Sequence, residues 1–315
     1  MEYKLEVYSM FEIGQRDNQE DCTWPLPGAL TPECRGFVLC DGMGGHDSGE
    51  VASNAVCCAM GGYIEEHCSA CGPFGKKDFI AALNVAYAEL AARDTHAAKK
   101  MGTTMTFLKF HSGGCFIAHI GDSRVYHLRP SQGILFETVD HSLVNDLIKI
   151  GELTPEEARD FPSRNVITRC MQPSGEYHSR ADIKEITDVQ AGDCFFMCSD
   201  GVNETLDSED IARILLDTSL TDADKIDAIK AGTAEAHDNH TAFLVRVVEV
   251  TGTPCSAADN TVDAGDAVTA PQAQECEAPL HVGERAGTSP AKIVKWLVAA
   301  LLLAAVIAAV MFFVK

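Results

Sequence analysis

Four aspartates lie at the ends of short apolar runs. Three of them close the runs FVLC, FIAHIG and FFMCS, and the fourth precedes the run over 241–247; they are Asp41, Asp122, Asp200 and Asp238. A single Asp-Gly pair at a strand end is typical of a turn. Strand ends in one sheet can converge, however, so four such positions predict a cluster of carboxylates at the edge of a core.

Carboxylates that converge repel one another, and an unpaired charge at the edge of a core is costly. Lysine and arginine could neutralise the cluster, but these strand ends carry almost none. Divalent cations are then the remaining way to neutralise the carboxylates. Oxygen donors without a set of cysteine or histidine ligands favour Mg²⁺ or Mn²⁺ over Zn²⁺.

A centre of this kind could hydrolyse a phosphate ester. Two ions about 3.5–4 Å apart can share a carboxylate and a bridging water, lower the pKa of that water and hold a phosphoryl group for in-line attack. We expect Asp41 to end its strand at this centre. Gly42 directly after it would leave a carbonyl free to reach an ion.

The segment GQRDNQED at 14–21 adds one guanidinium group beside several acids. Arginine suits bidentate contact with a phosphate, which makes Arg16 a candidate substrate-binding residue. Taken alone, a charged stretch of this kind is usually a solvated loop.

Apolar alternation predicts the strands that must carry these residues. They are expected over 3–10, 36–40, 103–111, 115–120, 123–128, 194–198 and 241–250. Strands in meanders together with paired helices favour a layered α+β domain over an alternating βαβ fold.

Helical spacing predicts two early helices and two late ones. The first begins at Ser48, and the late ones follow Ser208 and Thr221. The first helix is expected to place on one face Val51, Ala55, Cys58 and Gly62. The second is expected to place on one face Phe79, Leu83, Ala86 and Leu90.

The formal net charge of −21 argues against nucleic acid as a partner, because phosphate backbones need basic patches. Thirteen cysteines occur without the spacing of a disulfide framework, and the start MEYKLEVYSM lacks the pattern of a signal peptide. We therefore expect reduced thiols in a cytosolic domain. The lone CxxC at 68–71 lacks the second pair that a zinc site would need.

The residues WLVAALLLAAVIAAVMFFV at 296–314 carry no charge and no helix breaker. At about 1.5 Å per residue they match a hydrocarbon core of roughly 30 Å. Lys292 and Lys295 precede them, so the positive-inside rule keeps the N-terminal side cytoplasmic. We predict a single-pass anchor in the cell membrane over 292–315, a disordered acidic linker over 251–291 and one domain over 1–250.

Eight motifs occur in order through most of residues 1–250. They are RDNQED (16–21), DGMGGH (41–46), MGTT (101–104), GDSR (121–124), DHSLVNDLIKIGELTPEEA (140–158), SRNVITR (163–169), CSDG (198–201) and HDNHT (237–241). Together they resemble the metal-dependent serine/threonine protein phosphatases of type 2C, in their bacterial form. The resemblance implies a four-layer α-β-β-α sandwich, in which two antiparallel sheets are flanked by helix pairs.

The resemblance also implies how the metals are held. Asp41 would bridge two Mn²⁺ or Mg²⁺ ions, and Gly42 would give its carbonyl to one of them. Asp200 and Asp238 would complete the coordination of the other ion. The water between the ions would attack phosphoserine or phosphothreonine in a phosphoprotein.

Further roles follow from the same resemblance. Glu20 and Asp21 would hold metal-bound waters, and Arg16 would grip the substrate phosphate. Asp122, with Asp200, would bind a third and weaker ion. The segment over 140–169 would be the flap beside the active site. On the residues alone it predicts two short helices, one ended by Gly151 and one begun by a capping box over 154–157.

The general acid stays open. Some members of the family have histidine directly after the first Asp-Gly, where this sequence has Met43. His46 and His141 are candidates by position, and a metal-bound water is the alternative.

Two other functions remain to be weighed against a membrane-tethered phosphatase. One is a catalytically weak or inactive membrane-bound scaffold of the same fold, although every ligand aspartate is present. The other is a metallohydrolase of small phosphoesters, which the lack of a GxxxxGK[ST] nucleotide cradle disfavours. The family suggests a Ser/Thr kinase as the functional opposite.

Overall fold

The structure is a computed structural model, and it describes residues 1–44, 48–94, 101–159, 161–163, 165–173 and 178–252. The strands are β1 Glu2–Glu12, β2 Asp21–Trp24, β3 Gly36–Met43, β4 Gly102–Thr103, β5 Met105–His111, β6 Gly114–Ile120, β7 Arg124–Arg129, β8 Gly133–Glu137, β9 Asp182–Ile186, β10 Cys194–Cys198 and β11 His240–Thr251. The helices are α1 Ser48–His67, α2 Lys76–Ala92, α3 Leu143–Lys149, α4 Pro155–Arg159, α5 Asp200–Asn203, α6 Ser208–Leu215 and α7 Asp222–Gly232.

These strands form two antiparallel sheets. The first sheet has the order β1-β11-β10-β7-β8, and the second has the order β2-β3-β5-β6-β9 with the short β4 paired to β3. In the first sheet, β11 lies between β1 and β10, so the two ends of the domain's sequence pair with each other at one edge of this sheet. The predicted α+β class with two antiparallel sheets is confirmed.

Alternation along β3 shows how the layers are held. Phe37 and Leu39 are buried between the two sheets, where they join Phe195 and Phe243 of the first sheet. Val38 and Cys40 point the other way and pack under α1 and α2. A third core lies under α5, α6 and α7, on the outer face of the first sheet. Since burial of each large side chain contributes roughly 1.5–3 kcal/mol, the three cores hold four layers together.

The buried face of α1 differs from the predicted one. Ala55 is buried as expected, but Val51 is 37% exposed, and Ala52, Val56 and Met60 face the sheet instead. Small and apolar residues occur on several sides of this helix, so spacing alone does not define its inner face. For α2 the prediction is confirmed, with Phe79, Leu83, Ala86 and Leu90 all buried.

Other differences lie at the edges of elements. The strand that was expected to end at Asp41 continues to Met43, because β3 exchanges its partner β5 for β4. Strands β2, β8 and β9 were not predicted, since they are short and only partly apolar. Helix α6 begins at Ser208 itself, with Asp207 as its cap, whereas α7 begins directly after Thr221 as predicted.

No helix in the described part of the chain is long and apolar enough to cross a membrane. The anchor predicted over 292–315 lies outside the described residues, and so does the predicted linker from residue 253 onward. Strand β11 extends to Thr251, one residue into that linker.

Candidate metal centre

Asp41 lies in β3 beside Asp21, its cross-strand partner at the start of β2. Hydrogen bonds from the facing loop fix its backbone: the Asp41 N–H donates to Thr104 Oγ1 at 3.0 Å, and the Thr104 N–H donates to the Asp41 carbonyl at 2.8 Å. Side chains alternate along a strand, so the Asp41 carboxylate lies on the same face of β3 as Phe37 and Leu39, the face toward the first sheet. The aspartate is therefore held within a strand and not at its end.

Asp200 comes from the other sheet, as the first residue of α5 after β10. The preceding residue, Ser199, joins the two sheets, because its hydroxyl donates to Asp21 Oδ2 at 2.8 Å and accepts from the Thr241 N–H at 3.0 Å. Burial raises the pKa of Asp200, and a side-chain hydrogen bond with Asp41 lowers it in part, so these two carboxyl groups lie close together. The predicted convergence of strand ends from two sheets is thus present at this pair.

Asp238 lies just before β11 and forms an ion pair with Arg16, whose Nη2 is 2.6 Å from Asp238 Oδ2. The Glu204 carboxylate accepts from the backbone N–H groups of His237 and Asp238 at 2.9 and 3.2 Å. Arg16 is therefore next to the cluster as predicted, but its guanidinium group holds a carboxylate. Its side chain is 45% exposed, so part of it is accessible from solvent.

Gly42 and Gly201 follow Asp41 and Asp200, and each permits a close approach of backbone. A Cβ atom at Gly42 would collide with the carbonyl oxygen of Gly49 in α1, and one at Gly201 would collide with the carbonyl oxygen of Asn239. The glycines thus bring an α-helix and a strand next to the aspartates. This packing role was not anticipated from the sequence, which suggested only an open carbonyl.

Glu20 lies against the start of α1. A Cβ atom added at Gly49 would be 2.7 Å from Glu20 Cδ, so this helix turn and the carboxylate are in close proximity. The Glu20 backbone is fixed on both sides, since its N–H donates to Asn239 Oδ1 at 2.7 Å and its carbonyl accepts from the Gly42 N–H at 3.0 Å. The partial positive charge of a helix N-terminus stabilises a carboxylate at such a position.

Burial and mutual repulsion raise the pKa values of four aspartates at this centre, Asp21, Asp41, Asp122 and Asp200. Burial raises the pKa of Asp21 to about 7, with further contributions from the charges of Asp200 and Asp238. Burial raises the pKa of Asp200 to about 6, and the Asp238 charge adds to that effect. The pKa values of Asp41 and Asp122 are raised for the same reason, first by burial and then by Asp200.

Buried carboxylate oxygens without partners indicate what the cluster lacks. Within the described residues, Oδ1 of Asp21, of Asp122 and of Asp200 is buried and accepts no hydrogen bond. Such atoms are rare in folded proteins unless a ligand or ion satisfies them. A set of carboxylate and carbonyl oxygens fits Mg²⁺ or Mn²⁺. The donor set therefore agrees with the predicted metals.

A cleft of about 570 Å³ opens over this centre, and Arg16, Asp122, Asp200 and Asp238 line it. Its other wall belongs to the segment predicted as a flap, through Asp140, Ser142, Val144, Asn145 and Asn165. Asp122, Asp200 and Asp238 therefore face a cleft that is open to the surface.

The two short helices of that segment are present. Gly151 (φ +79°) ends α3 with a Schellman motif, in which its N–H donates to the Ile148 carbonyl and the Glu152 N–H donates to the Leu147 carbonyl. The capping box at α4 is formed by reciprocal hydrogen bonds between Thr154 and Glu157. Both predictions from local sequence are confirmed.

Arg124 attaches this segment to the sheet, a role that sequence reasoning missed. Its guanidinium group forms a bidentate pair with Asp140, at 2.7 Å to each carboxylate oxygen, and a further contact with Glu137 at 3.1 Å. The GDSR motif at 121–124 contains this arginine. Its place in this motif, two residues after Asp122, was the sequence feature from which the role could have been predicted.

His141 has a structural contact instead of a position in the cleft. Its Nδ1 accepts from the Gly121 N–H at 3.0 Å, and burial lowers the pKa of the ring to about 4. The ring thus supports the turn that carries Asp122, and a proton donor at neutral pH would need a higher pKa. His46 lies outside the described residues, so its role stays a prediction.

His119, His141 and Asp182 form a second group of possible metal ligands, with the nearest donor atoms all within 4.8 Å of one another. Arg169 Nη1 is 3.1 Å from His141 Nε2 and 3.2 Å from Asp182 Oδ1. A cationic side chain therefore already occupies this group.

Comparison with known proteins gives a consistent result. The family model for protein phosphatase 2C matches residues 18–231. Protein phosphatase PhpP of Streptococcus pneumoniae serotype 2 is 31% identical over 255 residues, which is 78% of this chain and 98% of the relative. The crystal structure of the Mycobacterium tuberculosis phosphatase PstP/Ppp superposes with a TM-score of 0.65 at 28% identity, covering 78% of this chain and 99% of that one.

A second structure of the PstP catalytic domain, in complex with two manganese ions, matches with a TM-score of 0.62 at 27% identity, covering 78% of this chain and 99% of that one. Together with the carboxylate centre, these matches confirm the resemblance seen in the motifs. The chain belongs to the protein phosphatase 2C family of metal-dependent protein serine/threonine phosphatases.

Proposed function

We propose that this protein hydrolyses phosphoserine and phosphothreonine in phosphoproteins at the centre formed by Asp41, Asp122, Asp200 and Asp238. The observation that carries the proposal is a set of buried carboxylates, with unpartnered oxygens in the described structure, at the base of an open cleft. The relatives that match most of the chain are named as protein phosphatases, which supports the same substrate class.

Asp41, Asp200 and Asp238, with the Gly42 carbonyl, would hold two Mn²⁺ or Mg²⁺ ions. Asp21 and Glu20 would contact them through water, and Asp122 with Asp200 would hold a third. When bound, such ions supply a water nucleophile at neutral pH and offset the charge of the phosphoryl group. The structure of a relative with two manganese ions supports this number.

The chain's own residues would orient the substrate. Arg16 lies at the cleft and is 45% exposed, so it can donate to a phosphate oxygen in place of Asp238. The polar side chains of Ser142, Asn145 and Asn165 line the opposite wall, where they can contact peptide backbone beside the phosphorylated residue. The proton for the leaving alkoxide would come from His46 or from water.

The test is phosphate release from a phosphothreonine peptide by the purified full chain, with Mn²⁺ and with EDTA. We expect metal-dependent turnover that falls at least about 100-fold in Asp41→Asn and in Asp200→Asn, because each removes a charged ligand. Asp227→Asn makes the same change at an exposed position on α7 and should turn over like the parent.

Each alternative predicts a different result in this assay. Absence of turnover by the parent would favour a membrane-bound scaffold of the same fold. Equal turnover in the two variants would refute the proposed centre. Faster hydrolysis of free nucleotides than of the peptide would favour a hydrolase of small phosphoesters.

We also propose that residues 292–315 anchor the domain to the cell membrane with its catalytic part in the cytoplasm. The support is the uncharged run at 296–314 and the lysines before it. A Ser/Thr kinase would then be the functional opposite. Dephosphorylation of membrane proteins first labelled by such a kinase would test that pairing, and unchanged label would contradict it.

A further inference from the structure

A second cleft lies at the other end of β3 from the aspartates. It has a volume of about 360 Å³, and its apolar lining includes Val38, Ile64 and Phe107. Gly36 borders this cleft and lies roughly 17 Å along the strand from Asp41, while Val38 in its lining is roughly 10 Å from Asp41. The metal centre does not account for the second cleft.

Lys109 lies in its wall as a buried cation. Along β5 it continues the row of Met105 and Phe107, whose side chains belong to the apolar core under α1 and α2. The residue is only 2% exposed, and its Nζ donates to the carbonyl oxygens of Ala70 at 3.2 Å and Ser69 at 3.5 Å. No carboxylate of the described chain lies within ion-pairing distance of it. A buried ammonium without a counter-ion is costly to a fold.

Arg35 is a second cation in the same cleft. Its Nη atoms donate to the carbonyl oxygens of Pro32, Cys34 and Tyr3. Its Nε is buried and has no hydrogen-bond partner among the residues that the structure describes, and no ion pair forms there either. Such an orphan donor in a cleft points to a missing acceptor.

Neighbouring titratable groups respond to this positive charge. Burial lowers the pKa of Lys109 to about 8, and the Arg35 charge contributes in the same direction. Burial also lowers the pKa of His111, two residues along β5, to about 4, with Lys109 as the next cause. In a chain of formal net charge −21, two cations thus lie side by side in the wall of this cleft.

The acids at this cleft are Glu33 and Glu65, and both are exposed. Glu65 Oε1 accepts from Trp24 Nε1 at 3.0 Å, so it closes one side of the cleft and leaves the ammonium unpaired. Two rim acids disfavour a ligand with two negative charges. The apolar lining favours one with a hydrophobic or aromatic body.

We propose that this cleft binds a small monovalent organic anion, in which a carboxylate pairs with Lys109 and Arg35 while an apolar body packs against Val38, Ile64 and Phe107. Such a ligand would satisfy both the unpaired ammonium and the orphan Nε–H. It would leave the phosphatase centre open, because the two clefts lie at opposite ends of β3.

Cinnamate is a suitable probe, with cinnamyl alcohol as its neutral analogue. Binding to the full chain would be titrated by saturation-transfer NMR in EDTA, which removes metal as a binding partner for the carboxylate. We expect saturable binding of cinnamate, little binding of the alcohol, and at least about 10-fold weaker binding of cinnamate to Lys109→Met. Lys4→Met removes the same charge from an exposed position on β1 and should bind like the parent.

The variant Asp41→Asn distinguishes binding at the second cleft from binding at the aspartate centre. Cinnamate should bind to this variant with the same affinity as to the parent. Loss of binding in Asp41→Asn, equal binding to Lys109→Met, or no saturable binding by the parent would each overturn the proposal. Thermal unfolding would check that Lys109→Met folds, and we expect it to be at least as stable as the parent because it removes a buried charge.

A measurement on the unmodified protein gives independent evidence. Cinnamate should slow acetylation of Lys109 by an N-hydroxysuccinimide ester, as followed by peptide mass spectrometry, while acetylation of Lys4 stays constant. Equal acetylation of Lys109 with and without cinnamate would count against the proposed contact.

Discussion

Asp200 destabilises the fold at the position where the proposed chemistry needs a carboxylate. Its pKa is raised to about 6 by burial and by Asp238, and its Oδ1 has no hydrogen-bond partner in the described part of the chain. Asp41 lies next to it on the other sheet, and its pKa is also raised, first by burial and then by the Asp200 charge. The carboxylates of the cluster thus repel one another without cations, and relief of this repulsion contributes to the binding free energy of a cation.

The raised pKa of Asp200 should appear as a pH dependence of stability in EDTA. Because the pKa of Asp200 is higher in the folded state, that state holds more protons between about pH 3.8 and about pH 6. The free energy of unfolding therefore falls as pH rises through this window. We expect Asp200→Asn to gain stability over the parent by on the order of 2 kcal/mol between pH 4 and pH 7.5.

Urea unfolding of both proteins at the two pH values would measure this gain. Asp227→Asn, which is exposed on α7, should show none. A constant difference between Asp200→Asn and the parent at both pH values would contradict the assigned origin of this dependence.

At the scale of elements, a few contacts attach the segment over 140–169 to strand β7 of the first sheet and to the turn before it. Arg124 of β7 holds Asp140 through two hydrogen bonds of 2.7 Å, and its side chain is only 24% exposed. His141 holds the β6–β7 turn through the Gly121 N–H. One wall of the cleft is therefore tied to the turn that carries Asp122.

Arg124→Lys should weaken this attachment, because an ammonium cannot reproduce the bidentate geometry. We expect the free energy of unfolding to fall by about 2 kcal/mol, as for a partly buried ion pair that loses its best geometry. Chemical denaturation would measure the loss.

Arg93→Lys is a matched control, since Arg93 pairs with Glu89 on the exposed face of α2 with 57% of its side chain accessible. That change should alter stability by less than about 0.5 kcal/mol. Equal effects of the two substitutions would show that the Arg124 pair contributes no more than a surface pair.

At the scale of the whole molecule, the domain over 1–250 carries the fold and the cleft, and the predicted anchor is far from both in sequence. Deletion of residues 292–315 should move the protein from the membrane fraction to the soluble fraction, because the only long uncharged run is lost. Cell fractionation followed by the phosphopeptide assay would measure both effects.

We expect the specific activity of the shortened chain to match that of the full chain. A chain that lacks 260–283 but keeps the anchor should stay in the membrane fraction. Retention of the shortened chain on membranes would contradict the anchor, and loss of its activity would mean that the anchor also supports catalysis.

Local features could be predicted because they depend on few residues. The capping box at Thr154, the cap at Thr221 and the glycine that ends α3 form within a single helix turn, and each appears as expected. The carboxylate cluster was also predictable, since aspartates at the ends of apolar runs leave few ways to neutralise them.

Contacts across long stretches of chain were decided only by the tertiary structure. The Arg16–Asp238 pair joins residues 222 positions apart, and the hydroxyl of Ser199 reaches Asp21 across 178 positions. The inner face of α1 and the pairing of β3 beyond Asp41 likewise depend on which neighbours pack there. Periodicity and caps act over a few residues, whereas these choices are set by the packing of two sheets. The sequence alone therefore determined which carboxylates could form the centre, and the fold determined their geometry.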